Sequence, residues 1–118
     1  MYGIPTNLDV SFFSGKRVLQ VCIGANEVIL NFDDDVSITI LSCFGYGESG
    51  GIAQRYEDFK KGAAATASLL DRTVVGAKGD TDGTLRLQFD NDSYLEVYED
   101  KSPYESYHFR NGKKLYVV

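Results

Sequence analysis

The sequence predicts an α+β fold made mainly of antiparallel β-sheet: two β-meanders, a C-terminal hairpin and one helix near residues 58–71. Three observations carry this. Apolar residues alternate with a period of two in both halves, acidic or Asn-Gly turn signals separate the alternating runs, and one alanine-rich segment alone shows helical spacing. Whether about eight strands curl into a partly closed barrel is left open by the pattern. A chain of 118 residues suits one core, so residues 1–118 read as a single domain.

In the first meander Leu19, Val21 and Ile23, then Val28, Leu30 and Phe32, then Ile38 and Ile40 share one face, giving strands near 17–23, 27–33 and 36–44. Placing Ile23 opposite Val28 needs an even loop, and Ala25-Asn26 serves as a two-residue turn between Gly24 and Glu27. Placing Phe32 opposite Ile38 needs an odd one, such as Asp34-Asp35-Val36, where Asp tolerates the left-handed conformation.

The same grammar returns in strands near 73–78, 84–90 and 93–99. Leu30/Leu87, Phe32/Phe89, Asp33/Asp90 and Asp35/Asp92 are identical pairs at one constant offset, which suggests an internal duplication of about 17–44 and 73–99. Convergence of two acidic-turn hairpins is the alternative. Between the meanders, Phe59, Ala63, Ala67 and Leu70 recur at helical spacing, and alanine is the best helix former, so these four are expected to face the sheet. The glycine-rich run Gly45 to Gly51 reads as a loop. The last hairpin runs from Tyr104 to Val118 around Asn111-Gly112, with two registers open: Tyr107 opposite Tyr116, or Phe109 opposite Leu115. Tyr107, Phe109, Leu115 and Val117 are expected to be its buried set.

Composition excludes several classes of function. A net charge of −5 repels a phosphate backbone, so no nucleic-acid partner is expected. No apolar run approaches the roughly 20 residues of a membrane-spanning helix, and no basic-then-apolar leader opens the chain, so the expectation is a cytoplasmic protein without a membrane partner. Cys22 and Cys43 lie in strand-like surroundings as small buried hydrophobes or as a disulfide pair. With His108 they make three residues where a structural zinc site uses four.

No constellation announces catalysis. The acidic clusters Asp33-Asp34-Asp35, Asp80-Thr81-Asp82-Gly83 and Asp90-Asn91-Asp92 offer hard oxygens, but they lack EF-hand spacing and sit where turn chemistry favours Asp and Asn. Ser106 and His108 share a strand face about 6–7 Å apart, too far for a nucleophile–base pair. The run Gly45-x-Gly47-x-x-Gly50-Gly51 lacks the Lys-Ser/Thr pair of a phosphate loop. Tyrosines gather in the last quarter, with Tyr94 and Tyr98 on the strand face opposite Leu95 and Val97. Tyrosine is a common interface anchor.

The segments Asp9 to Lys16, Val21-Cys22-Ile23-Gly24, Phe32-Asp33-Asp34, Gly83 to Phe89 and Tyr104-Glu105-Ser106-Tyr107 together resemble a family of small bacterial proteins of unknown function. That resemblance implies a bacterial origin and, since some such acidic proteins neutralise a toxin by binding it, an immunity-like role. The expectation is therefore a non-enzymatic protein-binding domain, acting on a partner or on a second copy, with contacts from Tyr94, Tyr98, Tyr104, Glu105, Tyr107 and His108 and no cofactor or metal. The alternative is a small-ligand or calcium-binding module built from the acidic turns and the glycine-rich loop.

Overall fold

The computed structural model describes residues 8–100 and 105–118. Among them run, in chain order, β1 (Val18–Ile23), β2 (Val28–Phe32), β3 (Val36–Ile40), β4 (Cys43–Gly47), β5 (Gln54–Tyr56), α1 (Ala63–Ala67), β6 (Val74–Gly79), β7 (Leu85–Phe89), β8 (Tyr94–Tyr98), β9 (Tyr107–Asn111) and β10 (Lys114–Val117). They form two five-stranded antiparallel sheets, in the orders β1-β2-β3-β9-β10 and β5-β4-β8-β7-β6, and no closed barrel. The inner faces of both sheets supply one continuous core: Val28, Leu30, Ile38, Ile40, Tyr107 and Phe109 from the first, and Phe44, Leu85, Leu87, Phe89, Leu95 and Val97 from the second. No helix among the described residues is long and apolar enough to cross a membrane.

Turn chemistry sets the registers. Gly24 N–H donates to Glu27 O at 2.8 Å, closing a two-residue turn at Ala25-Asn26 and placing Ile23 opposite Val28. Asp34 and Asp35 both adopt φ of 59°, so the three-residue turn is Asp33 to Asp35 and Leu30, not Phe32, lies opposite Ile38. Asp92 supplies the left-handed residue in the matching turn after β7. The expected face is kept because the shift is by two residues.

Four further sequence expectations need correction. First, the strand expected over 36–44 is two strands, and Gly45 to Gly47, expected in a loop, lies inside β4. The chain leaves the first sheet at Leu41 and Ser42, whose N–H groups both donate to Ser106 O, at 2.9 and 3.1 Å. Second, the helix is shorter than 58–71, and its inward side is Phe59, Thr66 and Leu69 with Gly62; Ala67 and Leu70 are exposed. Gly62 packs under Phe44, where a Cβ would come within 2.6 Å of the ring. That contact rotates the turn and sends the alanines outward. The hydroxyl of buried Thr66 donates back to Ala63 O at 3.0 Å, so it needs no other partner.

Third, Leu19 points to solvent because β1 bulges between Val18 and Gln20, and Val18 takes its place in the core. Fourth, the last turn is Gly112-Lys113, one residue later than the Asn-Gly signal suggests, which pairs Phe109 with Tyr116. Phe109 and Tyr116 then stack at 5.1 Å, whereas Leu115 and Val117 point outward, 48% and 41% exposed.

The two halves are arranged alike. Val18 N–H donates to Arg72 O and Val74 N–H to Lys16 O; Asp71 N–H donates to Val18 O and Gly15 N–H to Val74 O, all at 2.8–2.9 Å. Exchanging Val18 with Val74, Lys16 with Arg72 and Gly15 with Asp71 maps this set onto itself. Bulges follow both valines, at Leu19 and Val75. Each half then lends its last two strands to the other sheet: β4 pairs against β8 and carries β5 on its far edge, and β9 pairs against β3 and carries β10 on its far edge.

Because β9 lies inside a sheet and buries Tyr107 and Phe109 completely, each worth about 1.5–3 kcal/mol, removing residues 104–118 is expected to abolish cooperative thermal unfolding. Calorimetry checks this; a truncated chain that keeps the full-length Tm would contradict the interleaved arrangement.

Candidate functional site

The six residues expected to form a contact surface do not converge. Tyr107 is a core residue, fully buried, whose hydroxyl donates to Gly83 O at 2.7 Å; this corrects its expected role at a surface. Tyr94 and Tyr98 stand on the outer face of the second sheet, Glu105 and His108 at the outer face of the first, and Tyr104 lies outside the described residues.

The outer face of the second sheet is filled by its own side chains. The outward positions of β4 are Cys43, Gly45 and Gly47, cross-strand from Tyr98, Glu96 and Tyr94. Tyr98 lies across Gly45 and Tyr94 across Gly47, so closely that a Cβ on either glycine would collide with the phenol. Tyr94 is then 7% exposed and donates to Gly51 O at 2.8 Å, with the Arg86 guanidinium 3.9 Å above its ring. The same arginine reaches Glu96 at 3.3 Å, and Glu96 accepts from Tyr98 Oη at 3.0 Å. Arg55 stacks 5.0 Å from the Tyr98 ring and donates through Nη2 to Cys43 Sγ at 3.1 Å. Burial, reinforced by the Glu96 carboxylate, raises the Tyr98 pKa to about 12. Burial likewise pushes the Cys43 thiol up, leaving it a packed, protonated group. These tyrosines therefore close a surface instead of offering one. Two alternating glycines on one strand facing two alternating tyrosines on another were the available signal for Arg55 and Arg86.

The outer face of the first sheet is different. Two cross-strand rows span all five strands: Gln20, Asn31, Ser37, Arg110 and Leu115, then Cys22, Ile29, Thr39, His108 and Val117. No Asp, Glu or Lys occurs in either row, although the chain carries 17 acidic residues. Thr39, at the middle, is nearly covered by its neighbours, and His108 is half-buried with Nδ1 3.7 Å from Glu105 Oε1. Asn31 donates to Gln20 at 3.0 Å. The outward alternation of these residues is legible in the sequence; that they align into one sheet with the distant β9 and β10 is not.

The remaining candidates resolve into structure. Ser106 is buried, and its hydroxyl bonds Asp100, accepting from the N–H at 3.0 Å and donating to Oδ1 at 3.1 Å, so it is not aimed at His108. Carboxylates of the acidic clusters have structural partners: Asp33 accepts from Arg17 N–H and Asp34 pairs with Lys16, both on the segment before β1, and Asp82 accepts from Thr84 N–H within its own turn. Among the described residues no three His, Cys, Asp or Glu come together to hold a metal. Cys22 and Cys43 are free thiols on different sheets. A cleft of about 580 Å³ beside α1 is lined by Tyr46, Tyr56, Ala64 and Ser68, with Glu48 as its one carboxylate and no imidazole or thiol.

The sequence model of a protein family described as a family of unknown function, DUF6188, matches residues 10–118. No curated protein and no solved structure matches the chain.

Two outcomes follow from the second sheet. Gly47→Ala is expected to cost about 1–3 kcal/mol by overpacking against Tyr94, measured by urea denaturation, and most of that loss should vanish when Tyr94→Ala is added; an undiminished loss would mean that the glycine acts through backbone freedom. Because the Tyr98 pKa rises on folding from the ordinary 10.0 to about 12, its contribution is fully present below pH 10 and is lost as pH climbs to about 12. Chemical denaturation across that window should show a falling stability that Tyr98→Phe makes less steep.

Proposed function

The chain belongs to the DUF6188 family, and from that premise we propose that it is a protein-binding domain whose contact surface is the outer face of the first sheet. One observation carries the reading: ten outward side chains across five strands include no Asp, Glu or Lys in a chain of net charge −5. Interface centres are depleted in these same three residues, because each would have to be stripped of water without a guaranteed partner. The face also carries the exposed Leu115 and Val117 on β10 and, across Thr39 and His108 in the same row, half-buried Ile29 on β2, apolar area that a partner would remove from water.

Of the residues singled out in the sequence, His108 and the adjoining Glu105 belong to this surface; Tyr94 and Tyr98 stabilise the opposite one. A binding role of this kind includes neutralisation of a partner, as in immunity proteins, and a bacterial, cytoplasmic setting fits it.

The test is co-purification with the products of adjacent genes, together with light scattering. The wild-type chain is expected to retain a partner or to dimerise, and Leu115→Lys with Val117→Lys to lose that association while stability stays within about 0.5 kcal/mol, as for other exposed positions. Lys78→Glu, on the opposite sheet, should change nothing. A strict monomer that retains no neighbouring product, or association unaffected by the lysines, would defeat the proposal.

A further inference from the structure

Arginine usage in this chain is uneven in one place. Arg17 pairs with Asp71, Arg55 with Glu57, Arg72 with Asp90 and Arg86 with Glu96, at 3.3–3.9 Å. Arg110 alone of the five arginines has no carboxylate within ion-pairing distance among the described residues. It is exposed and stands in the outward row between Ser37 on β3 and Leu115 on β10. Beside it is an open hollow of about 380 Å³ bordered by Asn31, Asp35, Ser37 and Gly112.

A guanidinium presents its N–H donors in a planar fork that matches a carboxylate with two parallel hydrogen bonds. Ser37 opposite it adds a hydroxyl that can donate, and Leu115 on the other side offers apolar surface. Asp35 is the one acidic residue lining this hollow, and it limits how far a second negative charge could extend toward Gly112. The chemistry these neighbours would recognise is a single carboxylate next to an apolar side chain. A run of phosphates would meet the net negative charge of the whole chain.

Resting on the binding face argued above, we propose that Arg110 is the anchor of that face and that it receives an Asp or Glu side chain of a protein partner, with the neighbouring apolar residue of the partner lying on Leu115 and Val117. The partner thus carries an acidic side chain flanked by aliphatic ones, and Arg110, not the tyrosine pair, sets specificity.

The experiment titrates the ¹⁵N-labelled full chain with three capped tripeptides, acetyl-Leu-Glu-Leu-amide and its Gln and Lys counterparts, and with inorganic phosphate, following backbone amides and the Arg110 side-chain Nε–H. The expected result is saturable shifts at Ser37, Thr39, His108, Arg110 and Leu115 with the Glu peptide, and binding about tenfold or more weaker with Gln, as the loss of a charge-assisted hydrogen bond requires. Arg110→Gln should remove the preference for Glu over Gln, and Arg110→Lys should restore only part of it. If the Gln peptide binds the same face as tightly as the Glu peptide, the face stands and the carboxylate anchor falls. If no peptide shifts these residues, both fall. Tighter binding of phosphate than of the Glu peptide, or a Glu preference that survives Arg110→Gln, also overturns the proposal.

Discussion

The rest of the molecule depends on the carbonyl of Ser106. It accepts the N–H groups of Leu41 and Ser42 at the point where the chain stops pairing in one sheet and crosses to the other. The Ser106 N–H donates to Val118 O, and its hydroxyl holds Asp100. A single buried serine thus satisfies the backbone of a chain crossing that would otherwise leave the N–H groups of half-buried Leu41 and Ser42 without these partners. From this junction follow the two separate sheets, the partnering of β3 by β9, and the assembly of the outward rows that mix residues from both ends of the sequence.

The local grammar of the fold was legible. Period-two alternation marked the strands, and the acidic turns after β2 and β7 use Asp in the left-handed region, as their sequences suggest. What was not legible came from partners far away in the chain. Nothing near Gly45 says that two phenols from β8 will lie on it; read alone, a glycine-rich run looks like a loop. The helical face was misplaced because alanine spacing ranks propensity, whereas the Phe44 ring over Gly62 decides which side turns inward. In the last hairpin Asn111-Gly112 is a strong local signal, yet stacking of Tyr116 on Phe109 and the placement of Val118 against Tyr107 favour a turn one residue on.

The candidate site was legible only in part, for a related reason. Tyrosine counts point to a surface, but a tyrosine lying on glycine under an arginine is structural covering. The face proposed for binding is recognised by what its two outward rows lack. An absence of carboxylates becomes visible only after Gln20, Asn31, Ser37 and Arg110, from four different strands, are set side by side. The two outer faces thus divide the labour: one spends its cations internally, and the other keeps Arg110 unspent.

The exchange of hairpins between the halves also has a kinetic side. When the first half of the chain leaves the ribosome, β3 has no neighbour beyond β2 and β4 has no sheet to join, since β8 and β9 have not yet been made. The second sheet cannot close until β8 has emerged, nor the first until β9 and β10 have, so native pairing across the halves is deferred and relies on contacts of long sequence separation, which form slowly. Until then the free edges of β3 and β4 are exposed to other nascent chains. The interleaving that ties the finished halves together makes the unfinished chain the species most in need of protection.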